Sequence, residues 1–228
     1  MRELKEELEN QGFTGDALKD AIRFILSRED LTNYLQNKTN LDLTRYNFTE
    51  VPEWFGNLVK LKDLYLYNNN ITELPESIGN LVNLTTLNLN NNNLTDLPNW
   101  IGNLTNMIRL SLGDNSIAEL PDSIGNLTNL TDLFLKGNNL VGLPDSFGNL
   151  VNLTGLNLSF NNLTELPDSF GNLVNLETLY LNNNNLTELP DSIENLTNLK
   201  DLYLSRNNFS EKYKRHLKQK LPNRYIII

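Results

Sequence analysis

Few side chains in this sequence have reactive potential. His216 is the single histidine, and cysteine is absent. A histidine acting as general base needs an orienting carboxylate and a nucleophile within hydrogen-bond reach. His216 stands between Arg215 and Leu217 with no such trio at hand, so it reads as a surface or packing residue. A cysteine-free chain has no disulfide, thiolate nucleophile, zinc finger or iron–sulfur ligation. Carboxylates are more plentiful. Glu73 with Glu76, Glu119 with Asp122, Glu165 with Asp168, and Glu188 with Asp191 each flank a Leu-Pro step. Paired acids can hold calcium or serve as acid and base. An active site is not repeated along a chain, whereas a solvated rim is. We assign these pairs to solubility and expect no metal, no cofactor and no enzyme.

The elements that position side chains follow from a strict repeat. Pro52, Pro75, Pro98, Pro121, Pro144, Pro167 and Pro190 stand 23 residues apart. Asn69, Asn92, Asn115, Asn138, Asn161, Asn184 and Asn207 keep the same interval, as do the glycines from Gly56 to Gly171. With Leu61 as position 1, apolar residues fall at positions 1, 4, 6, 11, 14, 18 and 21 of each unit. Eight units fit between 38 and 221, the first and last imperfect.

Positions 3–7 alternate apolar and polar, the pattern of a short strand with one buried face. An Asn-rich turn follows. Pro at position 15 resists a full helix in the LPxxIGNL segment, which is expected to be 3₁₀-like or extended, and Gly at position 19 permits a tight return. One coil buries too little apolar surface to offset the ordering of its backbone, so the coils must stack. The position-9 asparagine is expected to bond turn backbone of its own coil and the next one. Tyr46 takes that place in the first coil.

The pattern LxxLxLxxNxLTxLPxxIGNLxxL, running over roughly 38–209, resembles the leucine-rich-repeat family, in particular its bacterial and plant intracellular Ras-group-related types. The resemblance implies an α/β solenoid, a horseshoe whose concave side is lined by a parallel sheet. It also implies protein binding, usually through that side. Departures are Lys38 and Tyr46 in unit 1, Glu194 in place of the unit-7 glycine, and Lys212-Tyr213 in place of Leu-Pro in unit 8.

Positions 2, 3, 5, 7 and 8 are expected to point away from the core. These positions vary between coils while core positions barely change. Tyr65 and Tyr67 form one aromatic group near the N-terminal end, and Arg109 adds a cation in coil 4. Phe134, Phe160, Tyr180 and Tyr203 form a second group in coils 5–8, with Lys136 and Arg206 nearby. Exposed aromatics with cations are typical interface anchors. These nine residues are the expected partner-binding set. Trp54 and Trp100, both at position 17 on the convex side, are expected to pack over the outer backbone, the alternative being a second contact patch.

Residues 1–37 carry no repeat. Leu18, Ile22, Ile25 and Leu26 share one stripe, and Leu31, Tyr34 and Leu35 suit a further short helix. We expect a helical cap over the first coil, the alternative being a recruitment module. At the other end Ser210 suits an N-cap, EKYKRHLKQKL a helix, and RYIII a closing strand. Residues 38–210 hold 8 basic and 19 acidic residues, a net of −11, and 210–228 hold 6 basic and 1 acidic, a net of +5.

The whole chain has 228 residues and a net charge of −9. That balance repels phosphate and argues against nucleic-acid binding. At 39% hydrophobic and 21% charged, the composition is that of a folded chain without membrane spans. The charged start MRELKEELEN is no signal peptide, so a cytoplasmic location is expected. The expected partner is another protein bound by a monomer, without membrane contact. An alternative is a regulatory subunit or inhibitor that occludes a partner enzyme.

Overall fold

The computed structural model describes residues 5, 6, 9, 10, 22, 35–222 and 224–228. Of the expected N-terminal helices, Leu18, Ile25, Leu26, Leu31 and Tyr34 lie outside the described residues. Ile22 and Leu35 are described, and both are fully buried.

Nine short parallel strands form one sheet in sequence order: β1 Asn40–Asp42, β2 Asp63–Tyr65, β3 Thr86–Asn88, β4 Arg109–Ser111, β5 Asp132–Phe134, β6 Gly155–Asn157, β7 Thr178–Tyr180, β8 Asp201–Tyr203 and β9 Tyr225–Ile227. Each strand covers only positions 3–5, shorter than the alternation suggested. From β1 to β8 the register is exactly one repeat, as in Leu64 opposite Leu87 and Leu110 opposite Leu133. The middle leucine of each strand from β1 to β8 points into a continuous core with the position-1, 6, 11 and 21 residues, nearly all at 0–1% exposure. β9 closes the edge, with Tyr225 opposite Asp201 and Ile227 opposite Tyr203. The expected C-terminal helix spans Glu211–Lys220, and Ser210 Oγ caps it by accepting from Tyr213 N.

The outer side is a row of five-residue 3₁₀ turns, from Glu53–Asn57 to Asp191–Asn195. Each starts just after the proline, whose fixed φ is already suited to that entry. The position-19 glycine has a stronger cause than a tight return. A Cβ on Gly148 would lie 2.7 Å from Ser169 Cβ and closer still to the Ser169 carbonyl oxygen. Gly102 and Gly125 meet Ser123 and Ser146 in the same way. The glycine is therefore required by the serine of the following coil. Among the described residues no 3₁₀ turn follows the one at Asp191–Asn195, and there Glu194 stands in the glycine's place. Its carboxylate instead meets Lys220 Nζ at 2.7 Å, tying the C-terminal helix to coil 7.

The asparagine ladder differs in direction from expectation. Asn161 Nδ2 donates to Leu158 O of its own coil at 3.1 Å and to Leu135 O of the preceding coil at 2.9 Å. Its Oδ1 accepts from Leu140 N, also of the preceding coil, at 3.1 Å. Asn69 repeats the arrangement with Leu66 O, Leu43 O and Phe48 N. The amide thus serves the previous coil, not the next. In the first coil Tyr46 takes the place, and its backbone N–H donates to Asn69 Oδ1 of the following coil at 3.1 Å. A second ladder lies at position 23, where Asn83, Asn106, Asn129, Asn152, Asn175 and Asn198 each donate to a carbonyl 24 residues earlier at 2.8–2.9 Å.

Candidate functional site

The solvent face of the sheet carries the varying positions. Most of its side chains are half-buried or exposed, as expected, but Ser111 and Ser159 are only 6% and 3% exposed. At these two positions the face offers only small, covered hydroxyls, and coils 4 and 6 expose Arg109 and Phe160 instead.

The nine expected residues fall into separate groups. Tyr180 and Tyr203, opposite one another in the register, stack at 4.5 Å between ring centroids. Phe134 is one rung removed, because Asn157 lies opposite it and separates it from Tyr180. At the strand spacing that places it roughly 10 Å from the tyrosine stack. Phe160 sits beyond the strand end with Lys136 Nζ 5.6 Å from its ring centroid, a cation–π contact. Arg109 lies beside Asp132 at 3.6 Å, so its charge is partly answered within the sheet. Tyr65 faces Asp42 and Asn88 in the register, while Tyr67 lies under the Arg45 guanidinium at 5.8 Å. Arg206 is exposed on the turn after β8.

Position 8 has a backbone feature that residue types alone concealed. Arg45, Asn68, Asn91, Asp114, Gly137, Phe160, Asn183 and Arg206 all have φ between 53° and 68°. Gly, Asn and Asp tolerate this left-handed region, and aromatic residues do so poorly. Phe160 occupies it with 48% of its surface exposed.

One member of the group was missed. Tyr225 on β9 is 60% exposed, and its ring meets that of Tyr203 at 6.4 Å and 75°. The tail helix lengthens the step into β9, so Asp201 pairs with a residue 24 positions on, and the 23-residue count passes over it. Burial raises the Tyr203 hydroxyl above its usual pKa of 10.0, helped by the neighbouring Tyr180 and Asp201.

Elsewhere the residues with chemical potential are spread out. Glu73, Glu76, Glu119, Asp122, Glu165, Asp168, Glu188 and Asp191 are all exposed on the outer rim. His216 is exposed on the C-terminal helix, 6.3 Å from the Tyr213 ring. Trp54 is buried with its ring edge-on to Phe55, and half-buried Trp100 covers Gly79. Among the described residues no helix is long and apolar enough to cross a membrane.

Comparisons with known proteins agree with this architecture. The leucine-rich repeat region model matches residues 41–139 and 144–219, and a single leucine-rich repeat model matches 129–150. No curated protein matches the chain. Among solved structures, a leucine-rich-repeat protein of Leptospira interrogans is 35% identical with a TM-score of 0.68, over 85% of this chain and 55% of that one. An internalin from Listeria monocytogenes is 26% identical with a TM-score of 0.68, over 83% of this chain and 53% of its own. The leucine-rich-repeat ectodomain of the Arabidopsis thaliana receptor kinase GASSHO1/SCHENGEN3, solved with Casparian strip integrity factor 2, is 37% identical with a TM-score of 0.66. That match covers 73% of this chain and 21% of the ectodomain. This chain thus spans about half or less of those structures. Its 23-residue register, its sheet of one strand per coil and these matches together show that the chain belongs to the leucine-rich-repeat family.

Proposed function

We propose that the chain is a non-enzymatic protein-binding module whose partner seats on the concave face of coils 5–8. The fold commonly serves protein–protein interaction, and the plant ectodomain above was solved with the factor named with it. Phe160 carries the assignment to this region. It holds a left-handed backbone at a position where four other coils have Asn or Asp and one has Gly, and its ring stays 48% exposed. Such a residue costs the fold about 1–2 kcal/mol and recovers little by burial. What it offers is an aromatic surface beside Lys136, on the coil between those of Phe134 and Tyr180.

The test is affinity capture from the native host with mass spectrometry, followed by direct binding of the purified partner. Phe134→Ala, Phe160→Ala and Tyr180→Ala are each expected to weaken binding by at least tenfold at unchanged secondary structure, as interface anchors do. Unchanged affinity in all three folded variants discards the site.

A further inference from the structure

The C-terminal end of the concave face holds an acid without a counter-ion. Asp201 is half-buried, and among the described residues it forms no ion pair or side-chain hydrogen bond. The other acids at its row are engaged: Asp132 lies against Arg109 at 3.6 Å, and Asp63 accepts from Thr85 Oγ1 at 3.4 Å. Two cations close to Asp201, its chain neighbour Lys200 and Arg224 beside its register partner Tyr225, are committed elsewhere. Lys200 Nζ is 2.6 Å from Glu177 Oε2, and the Arg224 guanidinium donates to Leu196 O at 2.8 Å.

Two tyrosines flank this carboxylate on the sheet. Tyr203 follows it by two residues on the same strand face, and Tyr225 is its register partner on β9. The Tyr203 and Tyr225 rings meet at 75°, and Tyr180 stacks behind Tyr203 at 9°. Two ring planes at nearly a right angle, with a carboxylate at the root of the corner, present what a cation seeks: π faces and a negative charge. A neutral apolar group would gain the rings but leave the carboxylate to be desolvated unpaired.

We propose that the Tyr203–Tyr225 corner over Asp201 receives a cationic side chain, arginine or lysine, from the bound partner protein. The proposal rests on the concave-face reading and specifies the partner's chemistry at one end of that face. The net charge of −11 over residues 38–210, which include Asp201, favours a partner with basic character, and the +5 of the 210–228 tail is partly offset where Lys220 meets Asp191 and Glu194 and Lys214 meets Glu211.

The test uses the full chain with Nα-acetyl-arginine amide and Nα-acetyl-lysine amide as probes, read by the ring resonances of Tyr203 and Tyr225. Saturable shifts are expected, with a Kd on the order of 1–10 mM. Asp201→Asn is expected to weaken binding about fivefold or more, and Tyr225→Ala similarly, while Tyr225→Phe retains it. Nα-acetyl-citrulline amide, matched in shape without the charge, is expected to leave the rings unshifted. Equal shifts with citrulline, no effect of Asp201→Asn in a folded protein, or no ring shift at all would each overturn the proposal. These readouts need no partner. If the phenylalanine variants lose the partner but the probes never bind, the concave-face reading stands and the cation corner falls. If the probes bind but capture survives those variants, the corner stands and the reading falls.

Discussion

Gly148→Ala isolates the force that keeps the outer turns in contact. The added methyl would lie 2.7 Å from Ser169 Cβ and closer to the Ser169 carbonyl oxygen. Ordinary carbon–carbon contact is about 3.5–4.0 Å, so coils 5 and 6 must part by about 1 Å at this edge. Backbone is the obstacle, and no rotamer change relieves it. Overpacking of this kind costs about 1–3 kcal/mol, and the smaller unfolded-state entropy of alanine returns less than 1 kcal/mol of that. A net loss of about 2 kcal/mol corresponds to a Tm fall of about 4–8 °C at this chain length. Glu194→Ala is the internal control, since it alters the same repeat position where no 3₁₀ turn follows. Only the half-exposed ion pair to Lys220 is lost there, a change of about 0.5 kcal/mol. Both variants are read by thermal unfolding followed by circular dichroism. Equal losses in the two, or a Tm change below about 2 °C for Gly148→Ala, would refute the inter-coil explanation of the glycine row.

Asn161→Ala strips partners from Leu140 N and Leu135 O and should cost about 3 kcal/mol in chemical denaturation. Phe160→Asn should raise stability by about 0.5–1 kcal/mol while weakening partner binding, a divergence that thermal unfolding and titration together can check. The Lys220 ammonium, by hydrogen bond and charge, holds the Asp191 carboxyl below its ordinary 3.8. A depressed carboxyl contributes stability that is present above its unfolded value and lost as pH falls through the folded one. The protection of the amides of residues 211–220, taken relative to their intrinsic exchange rates at each pH, should therefore fall as pH is lowered through 3.8 and below, and Lys220→Met should flatten that fall.

Much of the fold was legible because packing imposes identity. Leu64, Leu87 and Leu110 are the same residue for the same reason, and their spacing alone sets the sheet register. The glycine row was visible, but its cause was not, since the obstacle lies one coil away at residues such as Ser169. The asparagine amides were assigned a job correctly and a direction wrongly, because donor and acceptor counts carry no sense of which neighbour is nearer. The second ladder at Asn83 through Asn198 was equally periodic, yet exposed asparagine in a loop gives no sign that it bonds backbone. On the candidate face, residue types located the aromatics but not their grouping. Asn157 between Phe134 and Tyr180, the left-handed φ of Phe160, and Tyr225 beyond the helical detour are all matters of three-dimensional register.

The backward reach of the asparagine amide has a bearing on how the molecule is made. Each turn's donors and acceptors are answered by side chains translated about 21–26 residues later. A nascent chain leaving the ribosome therefore always carries one unfinished turn at its growing end, sealed only when the next 23 residues emerge.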